Sequence, residues 1–246
     1  MAITWSDVGV VLSSRKQGEN FKIVNILTRN HGKSSGLVRI VGRNNFSVFS
    51  KVDVDLIMKS ENSLGFWHKR TEKQNWARIL HSDINVSVFQ SICLVLDKIL
   101  PHGSRYCRIY EFLEYLTENT GLNNDCMTNL YAFFELMLLK ETGFGFDFSK
   151  CSMCGRQEEL FFISPSTGRT ASKECAYQYR DKLLVIPDIW KDWNNASSYE
   201  EIAHINISKA DLRNSLYITW YFICKHMGPI NNYFRSHIIS ERAKCA

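Results

Sequence analysis

The sequence predicts an α+β fold, in which a small five-stranded barrel is followed by a helical bundle with a short β insertion. Five short segments rich in β-branched residues, separated by turn residues, lie within the first 80 positions. Segments with apolar residues at helical spacing follow them, and a Cys-x-x-Cys turn interrupts the helices. At 246 residues the chain is long enough for two small domains, since single cores stop growing near ~250 residues.

The barrel is predicted from segments that are each about as long as an average strand. They are Trp5–Leu12, Phe21–Thr28, Gly36–Val41, Val52–Met58 and Leu64–Trp67. In the fourth segment (VDVDLIM) apolar and acidic residues alternate with the period of two of a strand, so Asp53 and Asp55 are expected to face water. Gly18 and Gly32 mark two tight connections, where glycine supplies the positive φ that a hairpin often requires.

Helices are predicted where apolar residues recur every three or four positions. They are Val86–Leu100, Ser104–Asn119, Asp125–Thr142, Ser208–Met227 and a short last helix at Ile230–Ala243. We therefore expect residues 1–80 to form the barrel domain and residues 81–246 to form the helical domain. A cysteine-containing β-hairpin is expected within the helical domain at about residues 148–180.

Positive charge is concentrated at the start of the chain. Residues 1–80 hold 13 Lys and Arg against 6 Asp and Glu, whereas the remaining residues hold 17 against 19. A basic module suggests a polyanion partner, because each neutralised phosphate releases counterions; an ordinary solvated face is the alternative. The candidate DNA-binding residues are the cations of the barrel: Arg15, Lys16, Lys22, Arg29, Lys33, Arg39 and Arg43.

Aromatic residues accompany these cations. Single-stranded nucleic acid binds small barrels through a cationic groove and through rings that stack on bases. Any one of these rings is more often a core residue than a stacking platform. The candidate platforms are Phe21, Phe46, Phe49, Phe66 and Trp67.

Other function classes have little support in the sequence. No apolar run approaches the ~18 to 20 residues of a membrane span, and the N-terminus does not resemble a signal peptide, so we expect a reducing cytoplasmic compartment. The Gly32-Lys33 pair lacks the preceding glycine of a phosphate-binding loop, so a hairpin turn with an exposed Lys33 is expected there. The common hydrolase motifs are absent from the sequence. A non-enzymatic binding protein is favoured, while a metal-dependent nuclease with a concealed site at Asp53 and Asp55 stays an alternative.

A metal site is suggested by Cys151 and Cys154, because two thiolates at this spacing on a turn bind one Zn²⁺. A structural zinc site needs four ligands, but downstream only Cys175 is in range. Ser172 stands where a second Cys-x-x-Cys pair would begin. The candidate set therefore lacks its fourth ligand, and the pattern favours a metal-free relic of a zinc knuckle over a zinc site, with a redox pair as a further alternative.

Several segments, in the same order along nearly the whole chain, carry a family resemblance. They are WSDVGVVL at 5–12, GE at 18–19, LT at 27–28, HGK at 31–33, GLVR at 36–39, ETGFGFDFSKCSMCG at 141–155 and FISPSTG at 162–168. Together they resemble the RecO family of bacterial recombination mediators. The resemblance implies an OB-fold barrel, a helical bundle and a zinc-ribbon-like insertion.

The resemblance also implies a function without enzymatic turnover. A family member binds single- and double-stranded DNA, anneals complementary strands, and with RecR helps RecA replace the single-stranded-DNA-binding protein (SSB). The acidic C-terminal tail of SSB would dock on the helical body, and the protein would act at the nucleoid. Lys33 and Arg39 correspond to basic positions of the family's barrel, whereas Ser172 departs from its zinc-binding pattern. An OB-fold factor that binds RNA is the alternative.

Overall fold

The computed structural model describes residues 3–40, 46–60, 63–73, 79–80 and 82–244. The chain forms two compact units, of which the first comprises Met1–Asn124 and Asn232–Lys244 and the second contains Asp125–Asn231. The first unit holds the barrel, the two helices after it and the last helix. The domain division expected between residues 80 and 81 follows the change from strands to helices and stays a prediction.

Five strands close into a barrel in the first unit. They are β1 (Ile3–Gln17), β2 (Phe21–Thr28), β3 (Gly32–Arg39), β4 (Lys51–Met58) and β5 (Gly65–Lys73). Their order is β1-β2-β3-β5-β4, and all neighbouring strands are antiparallel except β3 and β5. The predicted barrel is confirmed, but its third strand begins at Gly32 rather than at Gly36.

The barrel interior is filled from alternating positions, as the period of two requires. Val24, Ile26 and Val54 are fully buried there. The parallel seam between β3 and β5 consists of two residue pairs, one of them Gly36 with Gly65. A Cβ on Gly36 would lie 2.6 Å from the Trp67 ring, so this close approach requires glycine.

Helices make up most of the remaining chain. They are α1 (Asp83–Ile99), α2 (Cys107–Glu118), α3 (Asn124–Glu141), α4 (Ile189–Asn195), α5 (Tyr199–His204), α6 (Lys209–Met227) and α7 (Tyr233–Lys244). Ser82 and Ser208 cap α1 and α6, because each hydroxyl accepts a hydrogen bond from a first-turn N–H group. Among the described helices, none combines the length and apolar character that crossing a bilayer requires.

Helix α1 packs on the barrel in the first unit. The Phe89 ring of α1 stacks on Phe49 with 4.1 Å between the ring centroids. The Asn25 side chain of β2 donates to the Asp97 carboxylate of α1 at 2.7 Å. One apolar face and one polar contact therefore fix this helix against the strands that carry the predicted DNA-binding residues.

The second unit combines helices with a small antiparallel sheet. Its strands are β6 (Leu160–Ile163), β7 (Thr170–Ser172) and β8 (Leu184–Val185), in the order β7-β6-β8, with a short 3₁₀ helix at Tyr177–Lys182. Phe146 stacks on Trp190 at 5.1 Å and meets Phe222 edge-on at 4.9 Å. The predicted helical domain with a small β insertion is confirmed.

Candidate nucleic-acid interface and thiol cluster

Four of the predicted cations lie around the β1–β2 turn, near the end of β1, the start of β2 and the end of β3. Lys16 pairs with Lys22 across β1 and β2, and Arg39 pairs with Phe21 across β2 and β3. Arg15 neighbours Lys16 on β1, and all of these cations except the half-buried Lys22 are exposed. Direct cross-strand partners lie about 5 Å apart. We call Arg15, Lys16, Lys22 and Arg39 the hairpin cation cluster.

Two aromatic rings adjoin the hairpin cation cluster. Phe21, the partner of Arg39, meets Phe66 edge-on with 6.1 Å between the ring centroids. Phe66 is 47% exposed, and Ile57 beside it is 45% exposed. Such rings can stack on unpaired bases. The other candidate platforms are buried core residues: Phe46, Phe49 and Trp67.

Other cations of the barrel hold the first unit together. Arg29 donates to both carboxylate oxygens of Glu114, at 2.8 and 2.9 Å, and Lys51 donates to the same carboxylate at 2.6 Å. Burial alone would raise the pKa of Glu114, but the hydrogen bonds from Lys51 and Arg29 lower it. Because Glu114 balances its charge, Arg29 offers little unpaired positive charge to a phosphate.

Lys33 is buried, and the expectation that it is an exposed loop cation is wrong. Its residue is 5% exposed, and its ammonium donates to the Asp97 carbonyl in the last turn of α1 at 2.7 Å. Desolvation lowers the pKa of Lys33. The reason is the register, since β3 begins at Gly32 and Lys33 therefore lies within the sheet. The candidate Arg43 lies outside the described residues.

Asp53 and Asp55, the carboxylates proposed for a nuclease metal site, both form ion pairs with one arginine. Arg70 contacts Asp53 at 2.6 Å and Asp55 at 3.4 Å. Asp55 also accepts a hydrogen bond from the Ser6 hydroxyl at 2.6 Å. Two carboxylates bound by an arginine are poorly suited to hold a catalytic divalent cation, because the guanidinium takes the metal's place in balancing their charge.

The sequence did not indicate an open groove of about 770 Å³ in the first unit. Within it the His31 ring stacks on Trp5 with 4.0 Å between centroids, and His31 Nδ1 lies 2.8 Å from the buried Asp7 carboxylate. His102 and Arg105 line the same groove. Its basic and aromatic lining suits a nucleic-acid strand, but the lining residues come from distant parts of the chain and left no local pattern to detect.

The predicted metal-binding cysteines meet in the second unit. The Sγ atoms of Cys151, Cys154 and Cys175 all lie within 4.8 Å of one another, and no other such metal-binding group occurs in the described ranges. Ser172, the last residue of β7, adjoins them: its hydroxyl lies 3.8 Å from Cys154 Sγ and its N–H donates to Cys151 Sγ at 3.3 Å. Three sulfurs suit a soft cation such as Zn²⁺, with a hydroxyl in place of the fourth thiolate.

The Cys151 thiol is readily ionised despite its burial. Burial opposes ionisation, but N–H groups of Ser172, Cys154 and Met153 lower the pKa of Cys151 to about 6. The thiolate is the form that coordinates metals and attacks disulfides. The cluster is therefore chemically competent for either metal binding or thiol exchange.

A separate pocket of about 350 Å³ lies in the second unit. Phe148, Phe161 and Trp190 line it together with Lys191 and Glu159. The Lys191 ammonium lies 5.4 Å from the centre of the Phe161 ring. An apolar cavity with one cation beside an aromatic ring suits a short chain that has both an apolar and an acidic part. We call it the Trp190 pocket.

Comparison with known proteins agrees with this architecture. The family described as Recombination protein O N terminal matches residues 1–71, and the family described as Recombination protein O C terminal matches residues 82–232. The chain belongs to the RecO family. The resemblance noted in the sequence is thereby confirmed, and the two matched regions of this RecO family member contain nearly all of the closed barrel and the helices α1 to α6.

Relatives named DNA repair protein RecO match this chain over most of their length. The DNA repair protein RecO of Wolbachia sp. subsp. Drosophila simulans (strain wRi) is 29% identical over 225 residues, which cover 91% of this chain and 92% of the relative. The DNA repair protein RecO of Wolbachia pipientis subsp. Culex pipiens (strain wPip) is 30% identical over 225 residues, which cover 91% of this chain and 91% of the relative. That of Mesorhizobium japonicum is 29% identical over 228 residues, covering 91% of this chain and 85% of the relative.

Lys33 is expected to matter for stability. In Lys33→Glu a carboxylate replaces the ammonium beside the Asp97 carbonyl, so we expect the free energy of unfolding to fall by at least about 2 kcal/mol. Lys33→Met keeps the apolar stem and should lose about 1 kcal/mol. The exposed Arg39→Glu should change stability by no more than about 0.5 kcal/mol. Urea unfolding measures all three, and equal stability of the two glutamate variants would contradict the buried position of Lys33.

Proposed function

We propose that this chain is a non-enzymatic recombination mediator in DNA repair that binds single- and double-stranded DNA and anneals complementary strands. The observation that carries the proposal is that two exposed members of the hairpin cation cluster, Arg15 and Arg39, share a face of the strands with Phe21 and Phe66. Cations gain affinity for phosphates by releasing counterions, and rings stack on bases of any sequence. Membership of the RecO family and relatives named DNA repair protein RecO support it.

Annealing follows from the same electrostatics. Two complementary strands repel each other as polyanions, and a cationic surface lowers this repulsion by replacing the counterions of both strands. With RecR, the protein would then help RecA replace SSB on single-stranded DNA in the cytoplasm, at the nucleoid. The roles of RecR, RecA and SSB in this proposal are supported by membership of the RecO family, not by a contact that the structure shows.

Charge reversal in the hairpin cation cluster tests DNA binding. In Arg15→Glu/Arg39→Glu we expect the affinity for a labelled single strand to fall at least about tenfold, and the slope of log affinity against log salt to decrease by about 2. The melting temperature should barely change, because both residues are exposed. Fluorescence anisotropy across a salt series measures the binding.

The matched control is Lys59→Glu/Lys73→Glu, which makes the same change of charge at exposed positions just after β4 and at the end of β5. It should bind DNA more tightly than the Arg15→Glu/Arg39→Glu variant. An equal loss in both variants would show that only net charge matters, and an affinity that does not depend on salt would refute phosphate binding.

We assign the acidic C-terminal tail of SSB to the Trp190 pocket. Its aromatic lining would hold an apolar side chain of the tail, and Lys191 would pair with an acidic group. Lys191 also contacts the Asp188 carboxylate at 3.5 Å, but both side chains are largely exposed, so this pair is weak and open to exchange.

Reversal of the Lys191 charge tests this assignment. We expect Lys191→Glu to weaken binding of a fluorescent tail peptide at least about tenfold, because the attraction between Lys191 and an acidic group of the tail is replaced by repulsion between two carboxylates. DNA binding should stay unchanged. The exposed Lys140→Glu is the matched control in the same unit. Equal peptide affinity of the two variants would exclude the pocket.

For the thiol cluster we propose one zinc ion on Cys151, Cys154 and Cys175, with the fourth position left to an oxygen ligand. Metal affinity depends on the number of thiolates, so Ser172→Cys should retain zinc against a chromophoric chelator at concentrations that strip the wild type. Ser172→Ala should differ little from the wild type. Metal analysis after gel filtration measures the content, and a Ser172→Cys variant that holds no zinc would exclude the site.

A further inference from the structure

Helix α6 carries a row of exposed aromatic and cationic residues that the proposed function does not use. Arg213, Tyr217, Tyr221 and Lys225 follow one another at intervals of four positions, and all four are exposed. Tyr217 is 61% exposed and Tyr221 is 39% exposed. Residues four apart share a broad helix face and are spaced about 6 Å along the axis. We call these four residues the tyrosine stripe.

The other side of α6 is a normal core face. It buries Leu212, Leu216, Ile218, Phe222 and Ile223. The hydrophobic packing of this helix is therefore complete without the two tyrosines. Large rings left on the solvent side of such a helix need an explanation other than the core of this unit.

Local contacts hold the tyrosine stripe in place. The Tyr221 hydroxyl donates to the Pro165 carbonyl at 3.3 Å, and the Lys225 ammonium donates to the same carbonyl at 2.7 Å. Carbonyl groups orient the lysine without neutralising its charge. A ring and a cation that are already positioned lose less conformational freedom when a ligand binds.

The neighbouring segment has the same composition. The Asn214 side chain of α6 donates to the Val185 carbonyl of β8 at 2.9 Å, and the 3₁₀ helix Tyr177–Lys182 immediately precedes β8 in the chain. That helix exposes Tyr177 and Tyr179, at 76% and 48%. Exposed tyrosines thus lie on α6 and on the segment that leads into the strand bonded to it.

The charges of these two elements are mainly positive. Their acidic residues are Asp181 and Asp211, and Asp211 accepts a hydrogen bond from the capping Ser208 hydroxyl at the start of α6. Their basic residues are Arg180, Lys182, Lys209, Arg213 and Lys225. Exposed tyrosines among excess cations match a single nucleic-acid strand, whose bases are free to stack and whose phosphates are negative. An acidic peptide would use the charges but not the row of flat rings.

We propose that the tyrosine stripe is a second binding surface for single-stranded DNA, which holds the complementary strand during annealing. The inference rests on the proposed function, in which the hairpin cation cluster binds the first strand. The first surface lowers the repulsion between the two strands, and a second surface would hold one strand without displacing the other from the hairpin cation cluster. A chain with one surface in each unit can hold both strands.

Removal of the two rings tests the second surface. At protein concentrations that saturate one strand, we expect Tyr217→Ala/Tyr221→Ala to anneal two labelled complementary oligonucleotides at least about tenfold more slowly than the wild type. When Tyr217→Ala or Tyr221→Ala is added to the Arg15→Glu/Arg39→Glu variant, each lost ring should weaken the remaining affinity for single-stranded DNA about fivefold or more. Tyr217→Phe/Tyr221→Phe keeps both rings and should behave as the wild type in both assays.

Different results separate this inference from the proposed function. If the wild type binds DNA, depends on Arg15 and Arg39, and anneals equally fast without the two tyrosine rings, only the second surface is refuted. A stripe variant that loses binding of an acidic peptide but keeps annealing also refutes it. If the wild type binds no single-stranded DNA, both proposals fail. Arg213→Glu supplies an independent variant, for which slower annealing at an unchanged melting temperature is expected.

Discussion

Glu114 lies between Arg29 and Lys51, and this contact decides how the first unit uses its positive charge. The Glu114 carboxylate of α2 binds Arg29, just after β2, and Lys51 of β4, and Glu118 of α2 also binds Lys51. This ion cluster fastens the helix to the barrel, and its two carboxylates balance the charges of two cations. Lys33 adds a third link, from β3 to the last turn of α1. Of the candidate cations that the structure describes, the exposed ones outside these contacts are Arg15, Lys16 and Arg39, which lie around the β1–β2 turn.

The strands and helices could be predicted because their signals are local. Alternation in β4 and the apolar stripe of α1 each lie within a short segment, and the structure places both elements where the pattern indicates. The start of β3 could not be predicted, because it depends on pairing with β2. Thr28 pairs with Gly32, so the turn is shorter than the His-Gly-Lys sequence suggests, and Lys33 moves from a loop tip into the sheet.

The candidate site was predictable only in outline. A count of charges identifies the barrel as basic, but Arg29 and its partner Glu114 are 85 positions apart, and no local pattern reveals such a pair. The same limit applies to the rings: composition nominated Phe66 and Trp67 alike, whereas only Phe66 is exposed. The thiol cluster was easier, since two of its cysteines share a turn and one hairpin brings Cys175 to them.

The seam between β3 and β5 has a consequence for sequence variation in this protein. A Cβ at Gly65 would lie 2.6 Å from the Met58 side chain and 2.9 Å from a backbone oxygen, and one at Gly36 would meet a Trp67 ring whose N–H is bound to the Val24 carbonyl. Neither neighbour can withdraw freely. Almost any replacement at these two positions would force β3 and β5 apart beside Phe66. Both positions are therefore expected to accept only glycine, although neither carries a charge or a ring.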